Sequence, residues 1–188
     1  GVAEILINHN DRISHRVKNQ VEVKYILDLR DFDNLPYSEK FIKDFDIILN
    51  DADVKVVAEL MGGVNPAYDF VKKCLLAGKS VVTSNKELVA AKGAELIKIA
   101  SDNNVNFLFE ASVGGGIPII RPLINDLVSN EIEGVCGILN GTTNYILTQM
   151  DVCGAEFAVA LKEAQAKGYA EANPDADIKG IDAARKIV

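Results

Sequence analysis

Apolar residues recur at helical spacing from Val2 to Ile13 (Val2, Ile5, Leu6, Ile13), then alternate with polar ones over Val21–Leu27 as a strand does. Ser38 stands where a cap would precede an apolar stripe of Phe41, Ile42 and Phe45, which predicts a helix. Val54–Leu60 is a short β-rich run closed by Met61-Gly62-Gly63. Pro66 suits the first turn of a helix running to Leu76, with Gly78 as its C-cap. Ser80–Thr83 predicts a strand, Asn85 caps a long helix through Ala100, and Val105–Phe109 predicts another strand ending at Glu110. This alternation predicts an α/β fold: a parallel sheet with helices on both faces.

After Pro118 the pattern changes. Ile119–Leu127 reads as a helix, Ile132–Leu139 as a strand, and Thr142–Met150 and Glu156–Ala166 as helices. The chain therefore divides at 1–117 and 118–188, the second part being the start of an α+β domain. In parallel sheets ligands bind outside the carboxyl ends of the strands. Glu59–Gly63, Thr83–Lys86 and Glu110–Gly116 lie at three such ends.

Composition narrows the class. The chain has 188 residues, 48% of them hydrophobic and 25% charged, which suits one sizeable core or one compact domain plus part of a second. The net charge of −7 and the scattered basic residues leave no nucleic-acid footprint. The apolar runs are too short for a membrane span. Cys74, Cys136 and Cys153 lack metal-like spacing and fit a reducing cytoplasm, with buried thiols acting as small hydrophobes. His9 and His15 read as surface residues of the first helix. The start at Gly1 and the stop at Val188, within a helical pattern, suggest that both ends are cut.

The densest chemistry lies near the end: Gly168-Tyr-Ala-Glu-Ala-Asn-Pro-Asp-Ala-Asp177, then Gly180-Ile-Asp-Ala-Ala-Arg-Lys186. Asn173-Pro174 marks a turn, Asp177 precedes a helix, and Asp182 and Lys186 share one helix face. An exposed ion pair plus a capping Asp accounts for the charges. Against that reading, the helix already has Ile178, Ile181 and Ile187 to bury, and Glu171, Asp177, Asp182 and Lys186 at one loop-to-helix corner make a good cradle for an ammonium group.

The run Ala164-x3-Gly168-Tyr-Ala-Glu-Ala-Asn173-Pro174-x2-Asp177-Ile-x-Gly180-x-Asp182-x3-Lys186 resembles the signature of homoserine dehydrogenases along its whole length. Val81-Val-Thr-Ser-Asn85-Lys86, Phe109-Glu-Ala-Ser-Val-Gly-Gly-Gly-Ile-Pro118 and Gly137-Ile-Leu-Asn-Gly-Thr-Thr-Asn-Tyr145 are similar to that family's blocks, in the same order. The resemblance implies a Rossmann-type sheet followed by the start of a catalytic and dimerisation domain. It also implies interconversion of L-aspartate 4-semialdehyde and L-homoserine with NAD(P)H, a step in threonine, methionine and isoleucine biosynthesis.

By that resemblance Glu171 and Asp182 hold the substrate ammonium, Lys186 moves the proton, Lys86 is a second cation, and Asp177 positions the group. Thr142 meets the substrate carboxylate. Met61, Gly62, Lys86 and Gly168 border the cofactor. The resemblance also places a monovalent cation such as sodium on backbone oxygens of Glu110, Val113, Gly115 and Ile117, where a glycine-rich interdomain hinge is the other reading. The subunits of that family pair as homodimers or higher homo-oligomers.

The chemistry suits these residue types. Hydride addition to an aldehyde builds negative charge on oxygen, which an ammonium stabilises and protonates. A free lysine titrates near pH ~10.4, so aldehyde reduction needs no unusual ionisation, whereas alcohol oxidation needs the neutral amine and should run best at alkaline pH.

The opening strand and the Gly-x-Gly-x-x-Gly turn that such a fold uses against pyrophosphate are not in this sequence; Gly1 stands as the last glycine of that region. Asn173 stands where Asp is frequent in the family. Asp28 favours the ribose hydroxyls of NAD and Arg30 the phosphate of NADP, with the balance tilted to NADP. The competing readings are a noncatalytic ligand-binding or assembly module and another amino-acid dehydrogenase on the same frame. The latter gives no reason for the spacing of Glu171, Asp182 and Lys186.

Overall fold

A computed structural model describes residues 1–188. They form two compact units, Gly1–Lys55 and Val56–Val188.

In the first unit the expected single helix is two, α1 (Val2–Asn8) and α2 (Asn10–Val17), because His9 between them leaves helical geometry at φ −115°, ψ 21°. Lys18 ends α2 in the left-handed conformation. The strand expected over Val21–Leu27 shrinks to β1 (Ile26–Leu27), the part that finds a parallel partner in β2 (Phe41–Ile42). A tight 3-10 turn at Ser38–Lys40 leads into β2, so the stripe of Phe41 and Ile42 is strand rather than helix. Pairing with β1 accompanies that outcome, Ile26 lying opposite Phe41 and Leu27 opposite Ile42. The Phe41 ring lies 4.7 Å from that of Phe32 and 6.3 Å from that of Tyr37, centroid to centroid. The helix starts later, as α3 (Phe45–Asn50), capped by the Asp44 carboxylate accepting from the Asp46 N–H at 2.9 Å.

The second unit begins with β3 (Val56–Glu59), α4 (Ala67–Leu76), β4 (Ser80–Thr83), α5 (Lys86–Asp102) and β5 (Phe107–Leu108). The strands pair in parallel in the order β3-β4-β5, with Glu59 opposite Thr83 and Val82 opposite Leu108. Parallel pairing requires a crossover, and α4 and α5 supply the two. Val71, Cys74 and Leu75 of α4 and Leu88, Leu96 and Ala100 of α5 are buried with Val81 and Phe107. Val82 and Leu108, on the opposite pleat, are exposed. Burial pushes the Cys74 thiol up to about 11, consistent with a small core hydrophobe, while Cys136 and Cys153 are exposed. Asn85 caps α5 by accepting from the Leu88 N–H, and Gly78, in the left-handed region that a helix end favours, follows α4.

Beyond β5 the chain turns through Glu110–Ser112 and the glycines to a short helical stretch whose Pro122–Asp126 part is a π turn. The expected strand Ile132–Leu139 does not form. Its backbone finds no ladder partner, and Ile132, Val135 and Ile138 remain exposed; alternation alone cannot make a strand without a neighbour to pair with. Four helices follow: α6 (Gly141–Cys153), α7 (Phe157–Ala166), α8 (Asp175–Ile178) and α9 (Ile181–Ile187). Ile146, Ala160, Ala164 and Ala170 form their core, with Tyr145, Met150, Leu161 and Ile178 packed around it.

Candidate active site

The carboxyl ends of β3 and β4 are tied together by side chains. Glu59, buried at its strand end, accepts from the Thr83 hydroxyl and from the Met61 N–H at 2.6 Å. Thr83 Oγ1 in turn accepts from the Asn85 N–H at 2.9 Å, and Asn85 Nδ2 donates to the Gly63 carbonyl at 2.7 Å. This lattice holds the Met61–Gly63 loop and sets the first residue of α5. That residue is Lys86.

An ammonium at a helix N-terminus is opposed by the helix dipole, so it needs a partner. Lys86 Nζ has one: it donates to Asp182 Oδ1, from a residue 96 positions further along the chain. The second oxygen of Asp182 accepts from Lys186 Nζ at 2.8 Å, one turn along α9, and from Asn140 Nδ2 at 2.9 Å. Asp182 is 3% exposed. Burial works against its charge, but hydrogen bonds from Lys186, Lys86 and Asn140 outweigh burial and hold its carboxyl well below the usual range. Lys186 Nζ also donates to the Leu139 carbonyl at 2.7 Å, so its position is fixed from two sides. Asp177 enters through Asn140, whose Nδ2 lies 2.8 Å from Asp177 Oδ1.

Asn140 is the residue that sequence reasoning missed. Its Oδ1 caps α6 by accepting from the Thr143 N–H at 2.8 Å, while its amide nitrogen bridges two carboxylates. The cap was legible in Asn-Gly-Thr-Thr; nothing local signals the bridge.

The other predicted positions fall as follows. Thr142 is buried at the start of α6 and donates its hydroxyl to the Tyr169 carbonyl at 2.6 Å. Glu171 is not brought into the cluster: the residue is exposed on the turn after α7, its backbone carbonyl accepts from Gln165, and its carboxylate has no partner. Gly168 turns the chain at φ +75° after α7. Met61 and Gly62 are exposed, and no atom lies within 4 Å of where a Cβ on Gly62 would stand.

Glu110 uses its side chain as well as its backbone: the carboxylate accepts from the N–H groups of Ile119, Ile120 and Arg121, bonds that hold it below the usual range. Its carbonyl takes the Val113 N–H at 3.3 Å. At Gly114 the Ile117 carbonyl comes within 2.6 Å of a would-be Cβ, so only glycine fits that turn, and Gly115 follows at φ +60°.

In the first unit, Gly1 is exposed at the start of α1. Arg30 does not stand free beside Asp28. Its Nε and Nη2 fork onto that carboxylate at 3.0 and 2.8 Å, which lowers the Asp28 carboxyl to about 2.

Parallel strands with crossover helices, and a charged cluster at the strand ends, define the class of Rossmann-like α/β proteins, whose ligands bind at those ends. Comparison with known proteins agrees. The family model for the homoserine dehydrogenase NAD-binding domain matches residues 1–110, and that for homoserine dehydrogenase matches residues 118–188. The chain belongs to the homoserine dehydrogenase family.

It is 42% identical to the homoserine dehydrogenase of Bacillus subtilis over 192 aligned positions, covering 100% of this chain and 44% of that one. The crystal structure of a homoserine dehydrogenase from Thiobacillus denitrificans superposes with a TM-score of 0.84 at 40% identity, over 97% of this chain and 43% of that one. A hyperthermophilic archaeal homoserine dehydrogenase mutant in complex with NADPH matches with a TM-score of 0.66 at 36% identity, over 70% of this chain and 40% of that one. The chain thus spans less than half the length of these relatives.

Proposed function

We propose that the protein interconverts L-aspartate 4-semialdehyde and L-homoserine with NAD(P)H, residues 1–117 serving the cofactor and 118–188 opening the substrate and catalytic domain. The observation that carries this reading is the buried Asp182 carboxylate shared by Lys86 and Lys186. When bound, the nicotinamide supplies the hydride. At the end of β3 the exposed backbone of Met61 and Gly62 is open to the cofactor, with nothing within 4 Å of a would-be Cβ on Gly62.

Lys186 stands as the proton donor in reduction and the acceptor in oxidation, held for that task by Asp182 and the Leu139 carbonyl. Lys86 adds a second cation beside the oxygen on which charge develops. An incoming ammonium group competes with these lysines for the Asp182 carboxylate, with Asp177 and Asn140 behind it. Glu171 joins that grip only if the turn after α7 folds inward. Thr142, in the first turn of α6, faces a substrate carboxylate with an N–H that helix geometry leaves without an intrahelical acceptor.

At the adenosine end a 2′-phosphate takes the Arg30 guanidinium from Asp28, which favours NADP. By the family resemblance Gly1 and Gly168 also serve the cofactor. The family resemblance puts a monovalent cation on the backbone oxygens of Glu110, Val113, Gly115 and Ile117, on the turn that Gly114 and Gly115 permit. Exposed Ile132, Val135 and Ile138 suit pairing between subunits.

The test follows NADPH oxidation with aspartate semialdehyde by the full-length protein and its Lys186→Ala variant. The parent should turn over, and the variant should lose turnover while still binding NADPH. A fully active variant would remove the proton-transfer role, and an inactive parent the whole reading.

A further inference from the structure

Two ion pairs tie α9 to the start of α5, and only one of them belongs to the cluster described above. Lys86 meets Asp182; one residue along α5 and three along α9, Glu87 Oε1 meets Arg185 Nη1 at 2.5 Å. The signs are crossed. α5 presents a cation then an anion, and α9 an anion then a cation. Sliding α9 by one turn would set Asp182 against Glu87 or Arg185 against Lys86, like against like, so the pattern admits a single register.

The Glu87 carboxylate also borders the loop after β3. Its Oε2 lies 3.8 Å from where a Cβ on Gly63 would stand, beside the carbonyl that Asn85 holds. One side chain thus lies against the Met61–Gly63 loop and grips α9.

We propose that Glu87 and Arg185 form a positioning clasp. They hold α9 on α5 in the register that places Lys86 and Lys186 on the two oxygens of Asp182, and neither touches the substrate. The proposal rests on the functional reading above. Both side chains are about one-third exposed, at 35% and 32%, so the pair adds little to global stability. Displacing a reacting group by about 1 Å can nonetheless slow chemistry by roughly a hundredfold. The clasp therefore acts on turnover far more than on melting.

The experiment uses the full-length enzyme with Arg185→Met, Glu87→Gln and Arg185→Lys. The first two should lower kcat for homoserine oxidation by about tenfold or more, with KM for NADP unchanged and Tm within a few degrees of the parent. Arg185→Lys, which keeps the charge, should recover most of kcat. Parental kcat in Arg185→Met, alongside an inactive Lys186→Ala, overturns the clasp and leaves the functional reading intact. A large common fall in Tm and kcat for both neutral variants also overturns it, showing a structural contact only.

If the parent itself does not turn over, the functional reading fails. The clasp is then judged on the crystal structure of Arg185→Met: an opened Lys86–Asp182 contact supports it, and an unchanged one overturns it. Should that variant not fold, Glu87→Gln carries the same measurements.

Discussion

Asp182→Asn is the sharpest test of the cluster. The substitution keeps the shape of the side chain and removes one charge from a site 3% exposed. The three groups left are two ammoniums and an amide nitrogen, all donors, facing an amide that offers one acceptor oxygen and an NH2 that opposes them. Breaking a buried ion pair costs about 3–5 kcal/mol. Here the loss is smaller, because the Lys86 side chain is 42% exposed and can turn to water, and Lys186 keeps the Leu139 carbonyl.

About 2–3 kcal/mol remains, which for a protein of this size lowers Tm by roughly 5–10 °C. The pH dependence has a definite sign. The folded carboxyl lies below its unfolded value, so its contribution is fully present above about pH 4, where the unfolded group is ionised, and is lost as pH falls through the folded value. Thermal melting of parent and variant at pH 7 and near pH 3 measures this. The gap in Tm should be wide at pH 7 and narrower at pH 3. Equal Tm values at pH 7 would refute the claim that a buried carboxylate joins the two lysines.

Asn140→Ala removes both the α6 cap and the bridge to Asp177 and Asp182, and should cost about 1–2 kcal/mol for the cap alone. Asn140→Asp keeps the cap but removes the amide donor and sets a third carboxylate against Asp177 and Asp182, so Tm should fall although the cap is intact; melting of both variants measures it, and a parental Tm in Asn140→Asp would remove the bridge. Asp28→Asn loosens the fork on Arg30 and should raise affinity for NADP relative to NAD, measured as the ratio of the two Kd values; an unchanged or reversed ratio would remove Arg30 from cofactor selection.

How far the sequence reached depended on the range of the forces involved. Ser80–Thr83 formed β4 as predicted and Asn85 capped α5, because capping and short apolar runs act within a few residues. The shared face of Asp182 and Lys186 was equally local, four residues apart on one helix. Ladders were not local. Val21–Leu27 kept only the two residues that met β2, and Ile132–Leu139 met no strand.

Local order of residues thus determined α4 to α7, the parallel strands β3 to β5 and the charged face shared by Asp182 and Lys186. Tertiary structure alone decided that Lys86 and Asn140 converge on Asp182, that Arg30 is forked onto Asp28, and that Glu171 stays in solvent. A carboxylate binds whichever donors packing delivers to it, and delivery across 96 residues is written in no local pattern.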